Sequence, residues 1–252
     1  MDRIGRSLMR KTMRVLDLAA AAMASAGIAL EIGGRRAAGA APVASAHDLV
    51  REHFATRSNL SHVNFKSLQE AISALGGRPS WIVETGSSAW GTDSSRLFDS
   101  YVATFGGRFW SVDLRLEPML KLRKHMSTSS SMSCDDSVRF LKRWVDKYSS
   151  HRVDLVYLDS WDLDINNPMP AAIHGLKEFL AIAPTLRDGS LLLVDDTPAS
   201  VDWFPAPLKE SAAEFQATHG LVPGKGMLID LYLKERPGVA KIGHRYQALY
   251  RF

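Results

Sequence analysis

Apolar and polar positions change their period near residue 78. Before it, Leu49, Val50 and Phe54, then Leu68, Ile72 and Leu75, recur at helical spacing and predict two helices over residues 46–75. Gly76-Gly77 stops the second helix, and Arg78-Pro79 leads into a different pattern. From residue 80, short apolar runs alternate with helical stretches. WIVET precedes SSRLFDSYVATF, and RFWSVDL precedes PMLKLRKHM. After the helical DDSVRFLKRWVDKY come VDLVYLD, the helix PAAIHGLKEFLAIAPTL and the run GSLLLVDD. The serine-rich Ser127–Ser133 reads as a loop or weak strand edge, and GMLIDLYLKE with HRYQALYRF as two adjacent strands closing a sheet. The cores IVET, LVYLD and LLLVD are continuous rather than alternating, as burial on two faces requires. The predicted class is α/β, a doubly wound and mostly parallel sheet with a C-terminal antiparallel strand pair.

Composition narrows the picture. The chain has 252 residues, 46% of them hydrophobic and 23% charged, an ordinary globular balance. No apolar stretch approaches the roughly 18 to 20 residues needed to cross a bilayer. The lone Cys134 excludes an internal disulfide framework and multi-cysteine metal sites, and fits a reducing, cytoplasmic setting. Lys and Arg number 31 against 27 Asp and Glu, a net charge of +4. The excess lies in Arg3, Arg6, Arg10, Lys11 and Arg14, with Arg35 and Arg36 after them. Without a basic stripe in the body of the chain, nucleic acid is not an expected partner. Three segments follow: a basic, Ala/Gly-rich extension (1–45), a helical lead-in (46–78) and a sheet domain (79–252). The extension shares the Arg/Ser/Ala composition of a transit peptide, a reading that stays open; it also superficially resembles a signal peptide, but Asp17 breaks its weak apolar run. It reads better as a fraying helix or loose peripheral anchor making weak membrane-surface contact.

Candidate chemistry sits at the strand ends. In parallel sheets ligands bind at the carboxyl tips of the strands. The first such tip is Glu84-Thr85-Gly86, the second Asp113, and later ones are Asp159 and Asp195-Asp196. Acids crowded on neighbouring tips repel unless a cation or a hydroxyl-bearing ligand sits among them. The turn from Gly86 to Gly91 lets backbone approach a ligand, and an acid ending the second strand suits a ribose diol. Together they point to a nucleoside-containing cofactor. Taken singly, each has a plainer reading, as a tight turn, a helix-start acid or a turn cap.

The E-T-G-x-x-x-x-G turn, the V-D-L strand end, D-L-V-Y-L-D-S-W and L-L-L-V-D-D resemble class I S-adenosylmethionine-dependent methyltransferases over about residues 80–250. Within them the chain looks most similar to the small metal-dependent O-methyltransferases of the catechol and macrolide- or sugar-modifying type. The resemblance implies a Rossmann-like, seven-stranded sheet, S-adenosyl-L-methionine and Mg2+. It implies Asp159, Asp195 and Asp196 as metal ligands, Glu84, Gly86 and Gly91 near the methionine moiety, and Asp113 on the ribose. Asp136 and Ser137 would lie beside the adenine. A small hydroxylated acceptor and a homodimer are the partners it implies.

Two features depart from that pattern. The glycine turn is one residue longer than the common form, and Asp162 stands where catechol methyltransferases carry a lysine base. Asp162, Asp164 and His174 are therefore the base candidates, although Asp164 could equally cap the Asn166-Asn167-Pro168 turn and His174 could be an ordinary histidine. Trp90, Trp161 and Trp203 are packing residues or walls for a ring-shaped substrate. Met119, Met126 and Met132 fill core and loops, and Cys134 is inert. Three rivals stay open: a cephalosporin hydroxylase-like enzyme on the same cofactor and metal, a non-catalytic nucleoside-binding accessory protein, and a nicotinamide dehydrogenase. The last would need G-x-G-x-x-G in the first turn, which is absent.

Overall fold

A computed structural model describes residues 45–88 and 91–252. Residues 1–44 of the basic extension, and Trp90, lie outside the described residues. Two helices precede the sheet, α1 (Ala46–Arg57) and α2 (Phe65–Ala74). Ser45 starts the first, its Oγ accepting from the Asp48 amide at 3.1 Å. Then follow β1 (Ser80–Thr85), α3 (Ser94–Phe105), β2 (Gly107–Asp113), α4 (Leu116–Arg123), β3 (Ser130–Cys134) and α5 (Ser137–Tyr148). The remainder is β4 (Leu155–Leu158), α6 (Met169–Ile182), β5 (Leu191–Val194), α7 (Ala206–His219), α8 (Met227–Lys234), β6 (Ala240–His244) and β7 (Ala248–Arg251). Among the described residues, no helix is long and apolar enough to cross a membrane.

The seven strands form one sheet in the order β3-β2-β1-β4-β5-β7-β6. The first five are parallel, and β7 runs antiparallel to both β5 and β6. Successive residues of the inner strands enter opposite cores. Ile82, Tyr157 and Leu193 pack with Phe98, Leu68 and Ile72 under the helices that include α1 and α2. Val83, Val156 and Leu192 pack with Trp110, Trp144, Phe179 and Ile229 on the other face. Both faces of the inner strands are covered, and this is why β4 and β5 read as unbroken apolar runs.

Three elements differ from the sequence reading. GMLIDLYLKE is helical, not a strand: Met227–Lys234 forms α8, with Met227, Ile229 and Leu233 buried. Its apolar residues satisfy a period of two, but Ile229 and Leu233, four apart, form one stripe that joins the core holding Phe179 of α6. The antiparallel pair exists, with Ala240–His244 as its first strand and Ala248–Arg251 as its second. The serine-rich segment, by contrast, takes the second of its two expected forms, as the edge strand β3. Helix α7 buries only Ala212 and so leaves no apolar stripe to read.

Glu84 ties β1, β2 and α3 together. It is fully buried and accepts from Ser94 Oγ at 2.5 Å, Ser95 Oγ at 2.5 Å and Ser111 Oγ at 2.6 Å. Burial raises its pKa from the ordinary 4.5 to about 7, against the pull of the three hydroxyls and with a push from Asp113. Glu84 thus binds a proton in the folded state at pH values where the unfolded chain has lost it. Its contribution to stability is full below pH 4.5 and falls as pH rises to about 7. The Glu84→Gln variant stays neutral throughout. In urea unfolding, the stability of the wild type relative to that variant should fall by on the order of 3 kcal/mol across this window. A flat difference would show that the carboxylate ionises normally in its serine cage.

Candidate functional site

The β4–β5 register pairs Leu158 with Val194, so the next residues, Asp159 and Asp195, emerge side by side at the tips. Asp196 follows with a φ of 41°, in the left-handed region that non-glycine residues seldom occupy and that recurs at functional sites. One carboxylate oxygen from each of the three lies within 4.8 Å of the others. Two amides hold Asp195: Asn64 Nδ2 at 3.2 Å and Gln247 Nε2 at 2.7 Å both donate to Oδ1. Gln247 also donates to the Tyr157 hydroxyl at 3.0 Å, and that hydroxyl reaches Asp159 Oδ2 at 3.4 Å.

The structure adds a residue that sequence reasoning missed. Lys225 Nζ lies 2.5 Å from Asp159 Oδ1 and 3.0 Å from Asp196 Oδ2, with its side chain only 6% exposed. The Gly224-Lys225-Gly226 turn lies against the backbone of Asp196-Thr197. The Lys225 amide donates to the Asp196 carbonyl at 2.9 Å, and the Gly226 amide to Thr197 Oγ1 at 2.9 Å. A Cβ on Gly224 would fall 2.7 Å from the Asp196 carbonyl oxygen, and one on Gly226 2.5 Å from Thr197 Oγ1. Only glycines let the lysine come this close. The signal was present as G-K-G between two elements, but reading the following helix as a strand hid it.

Charge decides what the cluster can hold. Burial, then the neighbouring Asp195, pushes the Asp159 carboxyl well above the carboxylate range, with Lys225 pulling the other way. Burial and Asp196 likewise raise Asp195. For Lys225, burial opposes the charged form, but Asp159, Asp196 and Asp195 outweigh it and raise its pKa. Fully ionised, the three acids would outnumber the one ammonium by two, and the raised Asp159 and Asp195 show how strongly the site resists that charge without a further cation. Asn64 Oδ1 and Gln247 Oε1, on the two side chains gripping Asp195, are buried acceptors without a protein partner. Three hard carboxylate donors, more acids than the single ammonium can balance once ionised, match a divalent ion of the Mg2+ class, so the residues fit such an ion.

The glycine turn borders this cluster. A Cβ on Gly86, at φ 79°, would lie 2.1 Å from the Asp159 carbonyl oxygen, so glycine is required where the β1 and β4 tips touch. Asp113 accepts from the amides of Ser87 at 3.1 Å and Arg115 at 2.7 Å, and from the Arg115 guanidinium at 2.7 and 3.0 Å. The lead-in helices reach the same region. His53 Nε2 hydrogen-bonds the Thr92 carbonyl at 2.7 Å, and a Cβ on Gly91 would sit 2.9 Å from His62 Nε2. Burial lowers the His62 pKa, while Asp195 pulls it upward. Residues 46–75 are therefore part of the site wall, supplying Asn64 to Asp195 as well.

The remaining candidates are spread around it. Asp136 caps α5, accepting from the Arg139 amide at 2.8 Å, whereas the buried acid of that tip is Asp135, clamped by Arg139 and Arg143. Ser137 Oγ and Ser160 Oγ lie 2.9 and 3.0 Å from His174 Nε2, and Ser160 Oγ donates to Glu178 at 2.6 Å. Asp164 Oδ1 accepts from the Asn166 amide at 3.0 Å and so closes its turn, while Asp162 is exposed within the field of Arg115. Trp161 is 46% exposed over the His174 ring, and Trp203 is exposed beside Tyr246. Met119, Met126 and Met132 are core residues. Burial, then Asp113 and Asp135, raises the Cys134 pKa, which disfavours a reactive thiolate.

No family model and no curated protein matches the chain. Among solved structures it is similar to the MycE methyltransferase of the mycinamycin biosynthetic pathway, in complex with Mg, SAH and mycinamycin VI. That match has a TM-score of 0.54 and 17% identity, over 82% of this chain and 54% of that one. The chain thus spans about half the length of MycE. Lower scores relate it to the Bacillus cereus O-methyltransferase in complex with SAH (0.45, 11% identity, 82% and 90% covered) and to CalS11, a TDP-rhamnose 3'-O-methyltransferase of calicheamicin biosynthesis (0.45, 16%, 77% and 81%). The seven-stranded sheet with its antiparallel β5-β7-β6 end and the MycE superposition agree: this chain has the class I S-adenosylmethionine-dependent methyltransferase fold.

Proposed function

We propose that the chain is an S-adenosylmethionine-dependent O-methyltransferase acting, with a divalent cation, on a hydroxyl of a small sugar-like or phenolic molecule. The observation that carries this reading is the meeting of Asp159, Asp195 and Asp196 beside the glycine turn of a methyltransferase-type sheet. The presence of Mg, SAH and mycinamycin VI in the MycE complex supports bringing the same kinds of ligand to this chain.

The residues divide the work by position. Gly86 and Ser87 offer backbone to the methionine moiety, with Gly91 closing the same turn, and Glu84 acts through the turn whose base it fixes. Asp113 takes the ribose diol, for which the Arg115 guanidinium must share or yield its oxygens. Asp136 and Ser137, at the start of α5, border the adenine. Asp159, Asp195 and Asp196 would hold the ion, and Asn64 and Gln247 fix the direction of the Asp195 carboxylate. The chemistry a divalent ion would supply there is to acidify and orient an acceptor hydroxyl. Bound S-adenosylmethionine would supply the methyl group and leave as S-adenosylhomocysteine, and a protein base would take the proton of the acceptor hydroxyl. Asp162 is the freest of the three base candidates, because Asp164 closes a turn and His174 Nε2 is held by Ser137 and Ser160. Trp161 and Trp203 can wall a ring-shaped acceptor.

S-Adenosylmethionine should raise the melting temperature of the purified chain, and Mg2+ with a hydroxylated acceptor should raise it further. A cofactor shift that neither metal nor acceptor changes favours a nucleoside-binding accessory protein instead. Asp159→Asn should lower kcat/KM for methyl transfer at least a hundredfold, read as S-adenosylhomocysteine release across a panel of hydroxylated acceptors; full activity would remove the ion from the mechanism. Removing residues 1–44 should leave cofactor binding intact by calorimetry. Removing 1–75 should abolish it, since core residues such as Leu68 and Ile72 leave with that segment along with His53, His62 and Asn64.

A further inference from the structure

The site contains its own cation. Lys225 contacts two of the three carboxylates proposed to hold the ion, Asp159 at Oδ1 and Asp196 at Oδ2. Its place is built from several directions. Gly224 and Gly226 bring its backbone against Asp196 and Thr197, and on the far side a Cβ on Gly175 of α6 would stand 2.8 Å from the Lys225 carbonyl oxygen. Glycine is thus needed at three positions around one residue, so the ammonium cannot retreat by moving its backbone. Only its flexible four-carbon stem can withdraw it.

We propose that Lys225 is a resident counter-cation of the carboxylate cluster, one that competes with the divalent ion for the same oxygens. The inference rests on the metal-assisted reading above. It has two consequences of opposite sign. Without metal, the ammonium offsets part of the repulsion among Asp159, Asp195 and Asp196, so the chain stays folded with the site empty of any ion. With metal, ammonium and ion lie within a few ångströms of each other at low effective dielectric, so affinity is reduced. A lysine that merely packs would stabilise the fold without touching metal affinity. One that helped bind the ion through a shared ligand would raise that affinity.

The test uses the full chain and its Lys225→Met and Lys225→Arg variants, with Mn2+ as the probe. Free Mn2+ is followed by electron paramagnetic resonance and melting temperature by calorimetry. Lys225→Met should bind Mn2+ at least tenfold more tightly than wild type, melt lower without metal, and regain that loss as Mn2+ is added. Lys225→Arg, which keeps the charge, should bind as weakly as wild type. Should Lys225→Met fail to fold in metal-free buffer, it is refolded in Mn2+. Recovery at concentrations that leave the wild-type melting temperature unchanged supports the competition, and no recovery overturns it. Equal or weaker Mn2+ binding by Lys225→Met, or binding by neither protein, also overturns it. S-Adenosylmethionine binding measured on the same samples judges the methyltransferase reading separately, because the Mn2+ comparison stays readable if cofactor binding is absent.

Discussion

Like charges at parallel strand tips are the constraint around which this molecule is organised. Once β4 and β5 pair in register, Asp159 and Asp195 must stand beside each other, and the tight turn that follows adds Asp196. Burying three acids together is unfavourable unless each is met by donors or positive charge. The fold meets them from distant parts of the chain: Asn64 from the lead-in, Tyr157 from β4, Lys225 from the turn before α8 and Gln247 from the last hairpin. These contacts explain why the lead-in helices and the C-terminal strand pair belong to the same unit as the five parallel strands. The site and the closure of the fold are one problem.

Two kinds of buried acid show how the environment separates roles. Glu84 sits in a cage of three serine hydroxyls, groups that can donate to a carboxylate or accept from a carboxylic acid, so it is satisfied in either state. It needs no ion and holds the base of the glycine turn. Asp159 has a charged partner and acidic neighbours instead, and its preferred state depends on what else enters the cluster. The first suits a fixed support, the second a place where a ligand binds. The sequence resemblance placed Glu84 near the methionine moiety; in the structure its carboxylate is taken up by Ser94, Ser95 and Ser111.

Much of this was legible before any coordinates. Continuous runs such as LVYL and LLLV report burial on two faces directly, and the acids just beyond them mark the tips. What escaped reading depended on contacts across the chain. Asn64 and Gln247 are ordinary polar residues until packing places them on Asp195, 131 and 52 positions away. Lys225 needed the correct assignment of Met227–Lys234, where apolar residues satisfy both the strand and the helix period and tertiary packing decides. Helix α7 buries a single alanine, so burial left almost no imprint on its sequence. The fold class survived these misses because it rests on the alternation of elements rather than on any one of them.

On the proposed reading, Asp159, Asp195 and Asp196 converge on a single ion. Anomalous diffraction from crystals grown with Mn2+ tests it most directly. The account predicts one strong peak bonded to an oxygen from each of the three, with the Lys225 ammonium displaced from Asp159. A peak elsewhere in the molecule, or an undisturbed Lys225–Asp159 pair with no metal density between the tips of β4 and β5, would contradict it.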